Sequence, residues 1–184
     1  MSVSLTNLVY TRISHDLSNA AGAVYNGTEL LAEDPVGVQE TAVLLQNSAR
    51  VLMARLKFFR QAFGLPNIEA DDATPAYLET LSTPIKLVGF CVDPLCKVCV
   101  MVLADCLIRG GTIQIEDDKI TATGPALKVA PELQRVLEAG QSVATPALAP
   151  ALYAFHLAQE QHIHFLFQAD EEKQVISLKK VVNS

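Results

Sequence analysis

The chain has 184 residues, 50% apolar and 18% charged, which excludes an intrinsically disordered chain and leaves material for one domain or two small ones. Fourteen basic against twenty acidic residues give a formal charge of −6, the wrong sign for a general nucleic-acid binder, whose affinity comes from neutralising phosphates. No apolar run approaches the roughly 18 residues of a membrane span, and the first residues lack a basic segment followed by an apolar stretch, so a cytoplasmic location is expected.

The first sixty-odd residues are predicted to form two long helices. Residues 4–33 contain no proline, and at roughly 100° per residue Ile13, Leu17, Ala20, Val24 and Leu31 share one side. Asp34-Pro35 reads as the end of this helix and the start of the next, aspartate as N-cap and proline at the first helical position. In the second helix Ala42, Leu45, Ala49, Leu52, Leu56, Phe59 and Phe63 make a heptad seam, and Leu44, Val51 and Phe58 widen it. Gly64-Leu65-Pro66 is its predicted stop. The chain offers no third helix of comparable length, so the simplest burial of this surface is a second copy, giving a dimeric four-helix bundle. The alternative is a hairpin packed on its own C-terminal half.

Residues 67–75 read as a linker, and the pattern beyond them is mixed α and β. A short strand is expected over 85–90, a helix opened by Asp93-Pro94 and running to about Arg109, and a hairpin of strands 112–116 and 119–123. Helices over 131–139 and 146–161 and strands over 162–168 and 174–182 complete an α+β order, with helices on one face of a mainly antiparallel sheet. Cys91, Cys96 and Cys99 match the C-x4-C-x2-C spacing of iron–sulfur ligands, but Cys96, Cys99 and Cys106 lie along a predicted helix and a distant fourth ligand is missing; buried reduced thiols are expected, with no metal. His162 and His164 would share a strand face, where further metal ligands are lacking, and His156 reads as helix surface or core.

His15-Asp16 falls nearly opposite the apolar side of the first helix, beside Thr11, Arg12, Asn19, Gly22, Asn26 and Glu29, which are small or polar and unsuited to a core. Gly22 and Gly27 inside a helix each cost about 1 kcal/mol relative to alanine. Close approach of another protein near His15 would account for Gly22, and helix–helix contact for Gly27. His15 lies about nineteen residues before the turn, which places Arg55 at its level on an antiparallel partner helix. Arg12, Arg55, Lys57 and Arg60 are therefore candidates to surround His15 with positive charge or to meet acidic rims of a partner. Asp16 is suited to orienting the imidazole, and Asn19, four residues on, to bonding the ring or an incoming group.

The segment 12–31, RISHDLSNAAGAVYNGTELL, resembles the phosphoacceptor helix of the ChpT-type histidine phosphotransferases of alphaproteobacteria, and 55–64, RLKFFRQAFG, resembles the end of their second helix. The resemblance implies a dimerising, phosphoacceptor hairpin over 1–66 and, over 75–184, an α/β sandwich similar to a histidine-kinase ATP-binding domain that has lost its nucleotide site. It also implies relay of a phosphoryl group from a receiver aspartate of a hybrid kinase to His15, and on to response-regulator aspartates. No cofactor of its own is implied; a divalent cation is expected on the partner receiver, and neither nucleic acid nor membrane is an expected partner. His15, Asp16 and Asn19 are the candidate catalytic residues, and Arg12, Gly22, Asn26, Arg55 and Arg60 the candidate partner-binding ones. The rival readings are an ATP-dependent sensor kinase core and a non-catalytic dimeric adaptor. Against the kinase, residues 97–111 contain no asparagine to hold a metal, and Thr123-Gly124-Pro125-Ala126 has no second glycine for a phosphate-cradling lid.

Overall fold

A computed structural model describes residues 4–33, 37–64, 71–142, 145–170 and 172–182. Helix α1 (Leu5–Glu33) starts where Ser4 Oγ accepts from Asn7 N at 3.3 Å, a side-chain cap on an otherwise unpaired amide. Helix α2 spans Val38–Phe63, with Gly37 at its N-cap; the expected Asp34-Pro35 turn lies outside the described residues, as do Leu65 and Pro66 of the expected stop. Gly27 of α1 faces Leu45 of α2, and Asp16 meets Arg55 nearer the other end, so the helices run antiparallel. A β-carbon on Gly27 would lie 3.2 Å from Leu45 Cδ1, which bears out the helix–helix reason for that glycine.

The predicted linker is overturned where it is described. Residues 71–73 fold back on α2, with Lys57 Nζ 2.6 Å from Asp71 Oδ2 and Ala73 N donating to Gln61 Oε1, and Thr74–Glu79 forms helix α3. Pro75 occupies the first turn of that helix, where its missing N–H costs nothing. Beyond it lie β1 (Ile85–Val88), α4 (Pro94–Cys106), β2 (Gly111–Ile115), β3 (Lys119–Thr123), α5 (Leu133–Ala139), α6 (Ala149–Glu160, preceded by a 3-10 turn at Pro146–Leu148), β4 (Ile163–Asp170) and β5 (Val175–Val182). One open sheet of order β1-β2-β3-β5-β4 results, parallel only between β1 and β2 and antiparallel elsewhere, in agreement with the expected α+β class. Helix α4 stops three residues early because Lys128 N donates to the Cys106 carbonyl and Leu107 bridges Leu127 as a short strand would. His162, expected on a strand, sits before β4 at φ 57°. No helix among the described residues is long and apolar enough to cross a membrane.

Helix α4 is the centre of the fold: every residue except Pro94 and Asp105 is buried, capped by Asp93 accepting from Cys96 N at 2.8 Å. The same core reaches the helical hairpin. Phe58 stacks on Tyr77 at 3.8 Å and 7°, Phe59 and Ala62 are buried beside them, and Leu5, Ile13 and Leu17 of α1 pack against the cluster. One end of the hairpin is thus held by its own chain, so the hairpin is not a separately buried unit.

Asp72 ties α3 to α4. Its carboxylate accepts from Thr74 N and Oγ1, from Cys91 N and from Lys97 Nζ at 3.1 Å, and Lys97 is nearly fully buried. Partial desolvation works against the carboxylate, but hydrogen bonds from Thr74, Lys97 and Cys91 outweigh it and hold Asp72 below the usual carboxylate range. A depressed folded-state pKa stabilises above the unfolded value of about 3.9, and that contribution is lost as pH falls through the folded one. Asp72→Asn should cost about 2–4 kcal/mol in urea unfolding at neutral pH, because it leaves Lys97 buried without its counter-charge. Its loss of stability on acidification below about pH 4 should be correspondingly shallower than the wild type's.

Candidate functional site

The exposed side of α1 follows from what its opposite side buries. Leu8, Ala20 and Gly27 are buried inward, which leaves His15 at 71% side-chain exposure, with Thr11, Asn19 and Asn26 exposed on the neighbouring turns. His15 Nδ1 lies 3.4 Å from Asp16 Oδ1, a long contact suited to an Nδ1–H donor, and this arrangement leaves Nε2 pointing away from the carboxylate.

Asp16 is in turn held from two directions. Arg12 Nε donates to Asp16 Oδ2 at 2.9 Å, while its NH1 and NH2 donate to Asp105 Oδ2 and Oδ1 at 2.9 and 3.0 Å, a two-pronged bridge to α4. Arg55 NH1 donates to the Asp16 carbonyl at 3.0 Å, and its Nε and NH2 to Thr80 Oγ1 and O at 3.1 and 3.0 Å. The level assigned to Arg55 by counting along the hairpin is therefore correct. Its donors and those of Arg12, though, are engaged within the chain and do not form an open cationic rim. Lys57 pairs with Asp71, and Arg60 lies on the exposed face of α2.

The charges shape one another here. Burial disfavours the Arg12 cation, and hydrogen bonding and charge pairing with Asp105, then Asp16, more than reverse this, so its pKa is raised. Desolvation raises the Asp105 carboxyl, with Arg12 opposing it. Burial likewise raises the hydroxyl of Tyr77, and the negative charge of Asp105 adds to it. Sequence reasoning gave Asp105, Thr80 and Tyr77 no role. The available signal was an acid at position 105 in an otherwise apolar run after Val98, but its partner lies 93 residues away.

Asn19 and Asn26 are not drawn into this network; both stay on the exposed face. Gly22 is half-buried, and a β-carbon there would meet nothing within 4 Å, so no contact among the described residues demands glycine. The four cysteines are free and buried, with Cys91 Sγ 2.6 Å from Cys96 Sγ. Burial raises the thiols of Cys91 and Cys99 and pushes that of Cys106 up to about 12. Among the described residues no group of three or more His, Cys, Asp or Glu is placed to hold a metal ion. His156 is exposed on α6, edge-on to Phe155.

Comparison with known proteins agrees in direction. Residues 95–173 match the family model of the histidine phosphotransferase C-terminal domain. Over 64 residues the chain is 45% identical to the protein phosphotransferase ChpT of Brucella abortus (strain 2308), a stretch that spans 34% of this chain and 30% of that protein. A solved structure described as a bacterial phosphotransferase at 1.7 Å superposes with a TM-score of 0.77 over 98% of both chains at 24% identity, a likeness of fold.

Because Gly22 has open space at its β-carbon, Gly22→Ala should raise stability by about 0.5–1 kcal/mol through the entropy of the unfolded chain. Chemical denaturation of the two proteins checks this; a loss of stability would mean that position 22 requires glycine for folding.

Proposed function

We propose that this chain, which carries a histidine phosphotransferase domain of the ChpT type, relays a phosphoryl group between receiver aspartates through His15. The observation that supports this most strongly is the exposure of His15 on a helix whose next residue, Asp16, is fixed by Arg12 and Arg55. In the proposed reaction the lone pair of Nε2 attacks the phosphorus of an aspartyl phosphate. The N–P bond forms as the P–O bond to the donor aspartate breaks, and positive charge develops on the ring. A carboxylate at Nδ1 is placed to offset that charge. Phosphoryl transfer needs positioning and charge neutralisation more than covalent help, and the divalent cation for it belongs to the receiver. The second half of the relay reverses the step toward the aspartate of a response regulator.

In this reading Asn19, Gly22 and Asn26 form the surface on which a hybrid-kinase receiver and then a regulator receiver dock. Arg60 contributes positive charge nearby, while Arg12 and Arg55 act from within. In the same reading the chain divides into a phosphoacceptor hairpin over 1–66 and an ATPase-like part over 75–184. Burial of Phe58, Phe59 and Ala62 in the common core argues that the hairpin needs the second part to stay folded. An ATP-dependent kinase is not supported: α4 has no asparagine, and Gly124 is explained by packing, since a β-carbon there would run into the Gly110 carbonyl and Leu107.

A homodimer completes the proposal. Val38, Ala42, Met53 and Leu56 lie along one exposed stripe of α2, bordered by half-buried Ala49 and Leu52 and by Leu45, which meets Gly27 of α1. Met53 is 61% exposed and Leu56 38%, and burying such side chains contributes about 1.5–3 kcal/mol each. Leu56→Asp should shift the protein from dimer to monomer in light scattering while leaving the fold intact; a wild type already monomeric at micromolar concentration contradicts the dimer.

The relay itself is tested with a phosphorylated receiver domain as donor. Wild-type protein should take up label that is lost in acid and retained in base, as a phosphohistidine is, and His15→Ala should take up none. Label persisting in His15→Ala overturns the assignment.

A further inference from the structure

We propose that Asp105, on α4 of the C-terminal half, is a positioning residue for the His15 imidazole, acting through Arg12 and Asp16; this rests on the relay reading above. One guanidinium serves both carboxylates, and Asp105 sets how it is turned. Arg12 carries five N–H donors on three nitrogens; Asp105 takes one from NH1 and one from NH2, and this two-pronged grip fixes the plane and rotation of the guanidinium so that Nε is presented to Asp16 Oδ2. In that orientation Asp16 meets Arg12 through Oδ2, and its other oxygen, Oδ1, faces His15 Nδ1.

Arg–carboxylate pairs favour two parallel hydrogen bonds when the guanidinium is available. Without the Asp105 carboxylate, the NH groups of Arg12 lose their partner and Asp16 becomes the nearest anion. Arg12 is then free to turn, and Nε with a neighbouring NH closes on both oxygens of Asp16 and draws Oδ1 away from the ring. The other groups around this point do not substitute for Asp105: Arg55 holds the backbone carbonyl of Asp16, not its carboxylate, and Tyr77 is buried behind the pair. The protonation site of His15 is then no longer biased, and the ring reverts toward the Nε2–H tautomer that unrestrained imidazole prefers in water, the form whose outward nitrogen has no lone pair to attack phosphorus.

The position of Asp105 fits this role. It is the one residue of α4 beyond Pro94 that is not buried, in a helix otherwise committed to the core. Its two oxygens are directed at an arginine on a different part of the chain, and that contact fixes the turn of α1 carrying His15 against α4.

The test uses the full chain with 15N-labelled histidine. Long-range proton–nitrogen spectra, with His15 assigned by its absence in His15→Ala, report the tautomer without any receiver. Wild type should be mainly Nδ1–H, and Asp105→Asn, which keeps shape and removes charge, should shift His15 toward Nε2–H. The rate of phosphoryl uptake should fall by roughly tenfold to a hundredfold. Arg12→Lys keeps the charge but lacks the separate edges needed to hold both carboxylates; it should give the same spectral shift, and it serves as the second variant if Asp105→Asn does not fold. A folded Asp105→Asn or Arg12→Lys protein with the wild-type tautomer ratio overturns the proposal, whatever the transfer rate. A wild type that takes up no phosphoryl group instead overturns the relay reading, and the spectra still decide the positioning of the ring.

Discussion

The stack of Phe58 on Tyr77 and the apolar cluster around it are what the rest of the molecule depends on. A long helical hairpin has two faces to bury, and here one end of it is pinned to α3 and α4 by large side chains with almost no exposure. That anchorage sets the rotation of α2, and through the Gly27–Leu45 contact and the Asp16–Arg55 bond it sets the rotation of α1. His15 is outward because Leu8, Ala20 and Gly27 are inward. The exposed apolar stripe of α2 has the same cause: once α1 and the C-terminal half have taken their shares, Met53 and Leu56 are what remain.

On this apolar base a small set of charges does the finer positioning. Arg12 and Arg55 reach from the hairpin to Asp105 and Thr80, so the surface around His15 is coupled to the second half of the chain through these two arginines. Half-buried guanidinium–carboxylate contacts of this kind contribute modestly to stability but fix geometry well, since removal of one member leaves the other inadequately solvated. This gives the C-terminal half a physical role: it holds the helix that carries His15 in place.

Much of this was legible in the sequence, for identifiable reasons. The two helices, the Asp93-Pro94 cap and the antiparallel strands all rest on local patterns of period 3.6 or 2, or on turn residues, and these appear where expected to within a few residues. The exposed His15 and the level of Arg55 followed from counting alone. Helix α3 was missed because its six residues are too few to show a period and its first turn reads as a Thr-Pro break. The engagement of Arg12 and Arg55 inside the chain was missed because their partners, Asp105 and Thr80, lie 93 and 25 residues away, and a surface arginine looks the same in sequence whether it meets solvent, a partner protein or its own chain.

In the proposed relay His15 presents Nε2, and not Nδ1, to an incoming phosphoryl group, because Nδ1 faces Asp16. The most direct measurement is the phosphorus and nitrogen NMR spectrum of the 15N-histidine-labelled protein after phosphorylation by a receiver domain, which distinguishes the two ring positions by nitrogen–phosphorus coupling. The account predicts one phosphohistidine, at His15, with phosphorus bonded to Nε2; phosphorus on Nδ1, or on any other histidine, contradicts it.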